Sequence, residues 1–149
     1  MEFMNKPFLY LLTMLFAFSL AGCSSLPSFD PQAEEHFYQG IDYVREKDHK
    51  AAIEEFSMAI EIDPTYSYAY YNRALEYFRI GELERSLADY NKAMELEPDN
   101  PYWTVERGFL HMELGYREKA IIDLERAIEL GLPGDYKQQA EEALAKLKP

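Results

Sequence analysis

Residues of matching type recur every 34 positions through most of this chain. Gly40, Ala74 and Gly108 form one such series, and Tyr43, Tyr77 and His111 another. Phe56, Tyr90 and Leu124 keep the same step, as do Ala59, Ala93 and Ala127. Self-similarity at a fixed period of this length describes a stack of like supersecondary units, each burying its apolar face on its neighbours. It excludes a single closed core. It also moves the search for function from a pocket to a surface.

The chain has 149 residues, the size of one ordinary domain, and its 48% hydrophobic and 28% charged content is that of a folded protein. The net charge of −12 argues against a nucleic-acid partner, because phosphate neutralisation requires a basic face. It gives no attraction to anionic lipid either. The chemistry-bearing residues are scattered. His36, His49 and His111 each hold a different position in the repeat, and no two have the spacing that would place them on one helix face as metal ligands. The carboxylate pairs Glu34-Glu35, Glu54-Glu55 and Glu141-Glu142 read as helix-surface charge. No phosphate-binding loop or nucleophile motif is present, so the expectation is a non-enzyme with no metal and no cofactor.

Residues 8–21 form a nearly unbroken apolar run, shorter than the roughly 20 residues that span a bilayer. Its length suits the hydrophobic region of a signal peptide. Only Lys6 precedes it as a positive charge, opposed by Glu2; a start at Met4 would give a cleaner positive segment. The run ends in Leu20-Ala21-Gly22-Cys23, followed by Ser24 and Ser25. This string resembles the bacterial lipobox. The resemblance implies that residues 1–22 are removed and that the Cys23 thiol carries a diacylglycerol. Cys23 is the sole cysteine, so no intramolecular disulfide competes for it. Two or three acyl chains would anchor the protein stably, where one is marginal. Ser24 after the cysteine resembles outer-membrane sorting, which implies a site in the bacterial cell envelope, facing the periplasm. Residues 23–32, with Pro27 and Pro31, read as the lipidated cysteine and a tether; residues 24–32 reach at most about 30 Å.

The 34-residue period resembles the tetratricopeptide repeat (TPR) family, whose unit is a helix–turn–helix. Three units start at Ala33, Ser67 and Pro101 and cover 33–66, 67–100 and 101–134. The small residue at position 8 is then Gly40, Ala74 and Gly108; position 20 is Ala52, Ser86 and Ala120; position 27 is Ala59, Ala93 and Ala127. These allow close helix approach, and the bulky residues at positions 11 and 24 fill the space. Pro64 and Pro98 end second helices. The expected helices are 33–46, 50–62, 67–80, 83–97, 101–114 and 117–130. Position 7, usually Leu in the family, is Gln39, Arg73 and Arg107. Long polar side chains there are expected to lay their stems on the seam and keep their heads in water. Residues 135–149 carry Tyr136, Ala140, Ala143, Leu144 and Leu147 at helical spacing, which predicts a capping helix over 135–148. The predicted fold is all-α: a right-handed α-solenoid of three units plus a C-terminal cap.

In this family the first helices line a concave surface. Carried over position by position, the resemblance implies a peptide-binding groove of Phe37, Ile41, Arg45, Tyr68, Tyr71, Asn72, Leu75, Phe78, Arg79, Tyr102, Val105, Phe109 and Met112. Its character is apolar and aromatic, with Arg45 and Arg79 at one edge as sites for an acidic group. The clamp with which some TPR cochaperones hold acidic tails needs Lys, Asn, Asn, Lys and Arg where this chain has Phe37, Ile41, Asn72, Tyr102 and Glu106. Only Asn72 matches, so that ligand class is rejected. Removing Tyr71 and Phe78 together is expected to weaken binding while sparing thermal stability. The combined reading is a lipid-anchored envelope adaptor that binds a peptide or helix of another protein. It is similar to small outer-membrane TPR lipoproteins of the peptidoglycan-hydrolase-adaptor group. A pilotin-like assembly factor for a type IV pilus or secretion-system secretin is the alternative. An envelope enzyme on a helical scaffold is disfavoured. The sequence leaves the partner and the oligomeric state open.

Overall fold

The computed structural model describes residues 30–148. The expected signal peptide, Cys23 and nearly all of the tether lie outside them. The described residues form seven helices and no strand: α1 Pro31–Glu46, α2 His49–Ile62, α3 Ser67–Arg79, α4 Leu83–Leu96, α5 Pro101–Glu113, α6 Arg117–Glu129 and α7 Gly134–Leu147. Consecutive helices pair as antiparallel hairpins, α1 with α2, α3 with α4 and α5 with α6, and α7 closes the stack against α6. None is long and apolar enough to cross a membrane.

Local chemistry sets the helix ends. The Asp30 carboxylate accepts the Gln32 N–H at 2.8 Å, and Pro31 occupies the first turn, so α1 starts two residues earlier than expected. Asn100 and Pro101 start α5 in the same way, with Asn100 accepting from Tyr102 and Trp103. The hairpin turns need a left-handed residue. Gly81 and Gly115 supply it at φ 81 and 73, whereas the first unit uses Lys47 at φ 62. A side chain in that region costs about 1 kcal/mol relative to glycine.

The repeat's small positions lie in the seams. Ala52, Ser86, Ala120, Ala59, Ala93 and Ala127 are fully buried. A Cβ added at Gly40 would sit 2.6 Å from the Phe56 ring, and one at Gly108 would sit 3.0 Å from Leu124. The bulky residue at position 24 therefore fills the space that position 8 leaves open. Burial of Phe56, Tyr90 or Leu124 contributes about 2–3 kcal/mol each. Ser86, the one polar small residue, donates its hydroxyl to the Ala74 carbonyl at 2.8 Å and so leaves no unpaired group in the seam.

Position 7 departs from expectation at its two arginines, while Gln39 is exposed as expected. The heads of Arg73 and Arg107 are not in water. Arg73 donates through Nε and Nη2 to the two oxygens of Asp89 at 2.7 and 2.8 Å, and through Nη1 to Ser57 Oγ at 2.9 Å. Arg107 repeats this on Asp123 at 2.8 and 2.7 Å, with Nη1 on Asn91 at 2.8 Å. The reason is a planar fork meeting a planar carboxylate, which makes a two-point charge-assisted bond. Each arginine thus joins both helices of its own unit to the second helix of the unit before. The first unit has Gln39 instead, and its Glu55 is met by His36 Nδ1 at 2.7 Å.

The cap buries Ala140 and Ala143 against Val105, Leu124, Ala127 and Leu132. Terminal apolar surface of a stack must be covered in this way. Val105 consequently has no exposed surface.

Candidate peptide-binding groove

Residues at positions 2, 6, 9 and 13 of each first helix fall on one helical face. They form three parallel stripes: Glu34, Tyr38, Ile41 and Arg45 on α1; Tyr68, Asn72, Leu75 and Arg79 on α3; Tyr102, Glu106, Phe109 and Glu113 on α5. Tyr68, Tyr102 and Tyr38 are 44, 41 and 61% exposed, well above a core aromatic. Phe78 is 40% exposed beside them. Ile41, Asn72, Leu75, Phe109 and Met112 are half-buried, and Asn72 donates to the Tyr68 carbonyl at 2.8 Å.

An aromatic wall supports this surface. Tyr71 stacks on buried Trp103 with centroids 5.3 Å apart and planes 19° apart, and Tyr68 meets the same indole edge-on at 5.3 Å. Tyr71 also meets Tyr90 at 6.0 Å. Burial pushes the Tyr71 hydroxyl up to about 12, so it stays a neutral hydrogen-bonding group at ordinary pH. Tyr102 is joined edge-on at 5.5 Å by Tyr136 of the cap. Phe37 plays the supporting part in the first unit, against Tyr66 at 4.9 Å and Phe56 at 5.7 Å.

Three expectations need correction. Val105 cannot face a ligand, because α7 covers it. Tyr71 is as much a wall as a contact, so its removal will not spare stability. Arg79 is already engaged: it pairs with the buried carboxylate of Glu76, which His49 also meets at 2.6 Å, whereas Arg45 makes only an exposed contact with Asp42 at 2.6 Å.

Two groove residues escaped the sequence reading, Tyr38 and Glu106, both at position 6. In the clamp pattern Glu106 stands only as a mismatch. It is half-buried, and it has no hydrogen-bond or ion-pair partner among the described residues. Burial raises its pKa above the usual carboxylate value, and the charge of Arg79 pulls the other way. The histidines are structural in placement. His111, buried on the opposite side, has Nδ1 3.0 Å from Asp123 Oδ2 but directed so that no hydrogen bond forms. Burial, the larger influence, keeps its pKa below the ordinary value. Among the described residues, no group of three or more His, Cys, Asp or Glu is placed to hold a metal ion.

Comparison with known families agrees with this geometry. Tetratricopeptide repeat profiles match residues 67–100 and 105–130, and a TPR repeat profile matches 40–81. Together they cover more than half of the chain, which belongs to the tetratricopeptide repeat family. Among solved structures, the second TPR domain of human RPAP3 in complex with the HSP70 peptide SGPTIEEVD is 25% identical. The match covers 79% of this chain and 96% of that one, with a TM-score of 0.71. The TPR2B domain of yeast Sti1 in its pHsp70 complex is 21% identical over 79% and 97%, with a TM-score of 0.72. The Yersinia enterocolitica type III secretion chaperone SycD, in complex with a peptide of the translocator YopD, is 13% identical over 77% and 91%, with a TM-score of 0.72. The last two are likenesses of fold. No curated protein sequence matches the chain.

Proposed function

We propose that this protein is a membrane-anchored adaptor of the bacterial envelope, which holds a segment of another protein in the concave groove of its first helices. The observation that carries the binding half is the exposure of Tyr68, Tyr102 and Phe78 in one concavity. Contiguous exposed aromatic surface marks interaction sites, and tyrosine offers contact area at low entropy cost. The peptide complexes of structural neighbours support the same use of the fold. The anchoring half rests on the Leu20-Ala21-Gly22-Cys23 string. Tethered so, the groove would capture its partner close to the membrane, in the periplasm.

Crosslinking and pulldown from native envelopes tests the binding half, with Tyr68→Ala plus Phe78→Ala as the control. The same partner should be recovered with wild type and lost with the double variant. Equal recovery with both would reject the groove. Metabolic acyl labelling tests the anchor: Cys23→Ser should abolish label and release the protein from membranes. Label that persists in this variant rejects lipidation.

A further inference from the structure

We propose that the groove recognises a basic segment: the partner inserts a lysine or arginine, flanked by apolar residues, whose cation seats against the Glu106 carboxylate on the aromatic floor. This rests on the groove reading above and names the chemistry of its ligand.

Pairing among the carboxylates is uneven. The buried carboxylates of Asp89 and Glu76 each have a cation or a hydrogen-bond donor at contact distance. Asp123 accepts two hydrogen bonds from Arg107. Glu106 is partly withdrawn from water without any such partner. A carboxylate in that position is unfavourable unless something supplies the missing cation. Arg79 is the cation whose charge reaches it, and Arg79 is already bound to Glu76 on its own helix.

The surface around Glu106 is aromatic. Tyr102 lies one turn before Glu106 on α5, and Phe109 just under a turn after it. Trp103, three residues before Glu106 on α5, carries the stacked ring of Tyr71, and Tyr71 in turn meets Tyr90. Aromatic faces are electronegative and attract cations, arginine most often. The chain already uses such contacts elsewhere, with Arg73 over Tyr70 at 5.7 Å and Lys119 over Tyr116 at 5.1 Å.

Charge points the same way: Glu34, Glu106 and Glu113 outnumber Arg45 and Arg79 on the three stripes, Arg79 already holds Glu76, and the whole chain carries −12. An acidic segment would approach against that field and meet Glu106 on arrival. A basic one is drawn in by it.

The test uses the full chain and two labelled synthetic peptides. Both share one leucine and tryptophan skeleton; one carries lysine and arginine at its polar positions, the other glutamate. Binding is read by fluorescence anisotropy. The basic peptide should bind and the acidic one should not. Glu106→Gln should weaken the basic peptide about tenfold, the scale of losing one partner of a partly desolvated charge pair. Glu54→Gln, on an exposed face of α2, removes the same charge away from the groove and should change little. Glu106→Lys should shift preference to the acidic peptide. Circular dichroism confirms that each variant is folded. Equal loss in the Glu106 and Glu54 variants, or tighter binding of the acidic peptide, overturns the proposal. If the acidic peptide binds and is lost in Tyr68→Ala plus Phe78→Ala, the groove survives and only its cation preference falls. If no peptide responds to that double variant, the groove reading falls as well.

Discussion

The two sides of α3 and α5 handle charge in opposite ways. On one side Arg73 and Arg107 bind Asp89 and Asp123 through two hydrogen bonds each, and the guanidiniums also reach back to the preceding unit. Both arginines and both aspartates there are spent on the fold. On the other side Glu106 stands half-buried among aromatics with no such partner. Both sides belong to the same two helices, so the contrast does not come from local helix chemistry. It comes from what lies opposite: another unit of the stack on one side, and an open concavity on the other. On the proposed reading, the unpaired carboxylate on the open side is the group that a ligand cation would meet.

Substitutions can break this contrast, and they rank by how much packing they disturb. Ala52→Arg should have the largest effect, because Ala52 is fully buried and a charge has neither room nor a partner there. Loss of more than about 4 kcal/mol is expected, seen as loss of the first unit's helicity in a circular dichroism melt. An unchanged melt would contradict the repeat register. Arg73→Met comes next. It strands Asp89, whose side chain is only 9% exposed, and should destabilise by about 3 kcal/mol in urea unfolding. Adding Asp89→Leu should recover much of that loss, because two apolar residues can replace a buried pair. Failure to recover would show that the arginine's contact with Ser57, rather than the pair, holds the units together.

Tyr71→Ala should cost about 2 kcal/mol through lost contact with Trp103 and Tyr90, whereas Tyr68→Ala should stay within about 0.5 kcal/mol of wild type. Equal melting temperatures for the two would remove the distinction between wall and contact surface. The smallest effect belongs to Glu106→Gln, whose stability should equal or slightly exceed that of the wild type. The sign follows from linkage. A carboxyl whose folded pKa is raised binds more protons folded than unfolded, so its charged form opposes folding above that raised value. Stability of the wild type relative to Glu106→Gln should therefore fall as pH rises from about 4.5, the ordinary value, through the raised one. A wild type that gained stability over that window would mean that Glu106 is paired after all.

The stack itself could be read from the sequence because its rules are local and repeated. A small residue at position 8 opposite a bulky one at position 24 is visible in Gly40 with Phe56 and in Gly108 with Leu124, and the helix bounds follow to within two residues. Capping by Asp30 moved one boundary, since a side chain outside the helix decides where it begins. The arginine pairs were hidden for another reason. Arg73 and Asp89 are both present at the repeat period with their counterparts Arg107 and Asp123, but a pair 16 residues apart has meaning only once two helices are laid together. Val105 was misplaced because its repeat position ordinarily faces the groove, and only the presence of α7 turns it inward. Glu106 went unread because a template for one ligand charge shows what is missing and not what stands in its place.

The seal that α7 makes over Val105 also fixes the size of the message this protein can read. Three first helices lie side by side, and packed helices sit about 8–10 Å apart, so the open track is roughly 20 Å across. An extended chain advances about 3.3 Å per residue, which allows about six residues of a partner to lie on it at once. A contact of that extent offers few anchors, so on the proposed reading occupancy would rise with the number of copies of the track and of the motif held near one another.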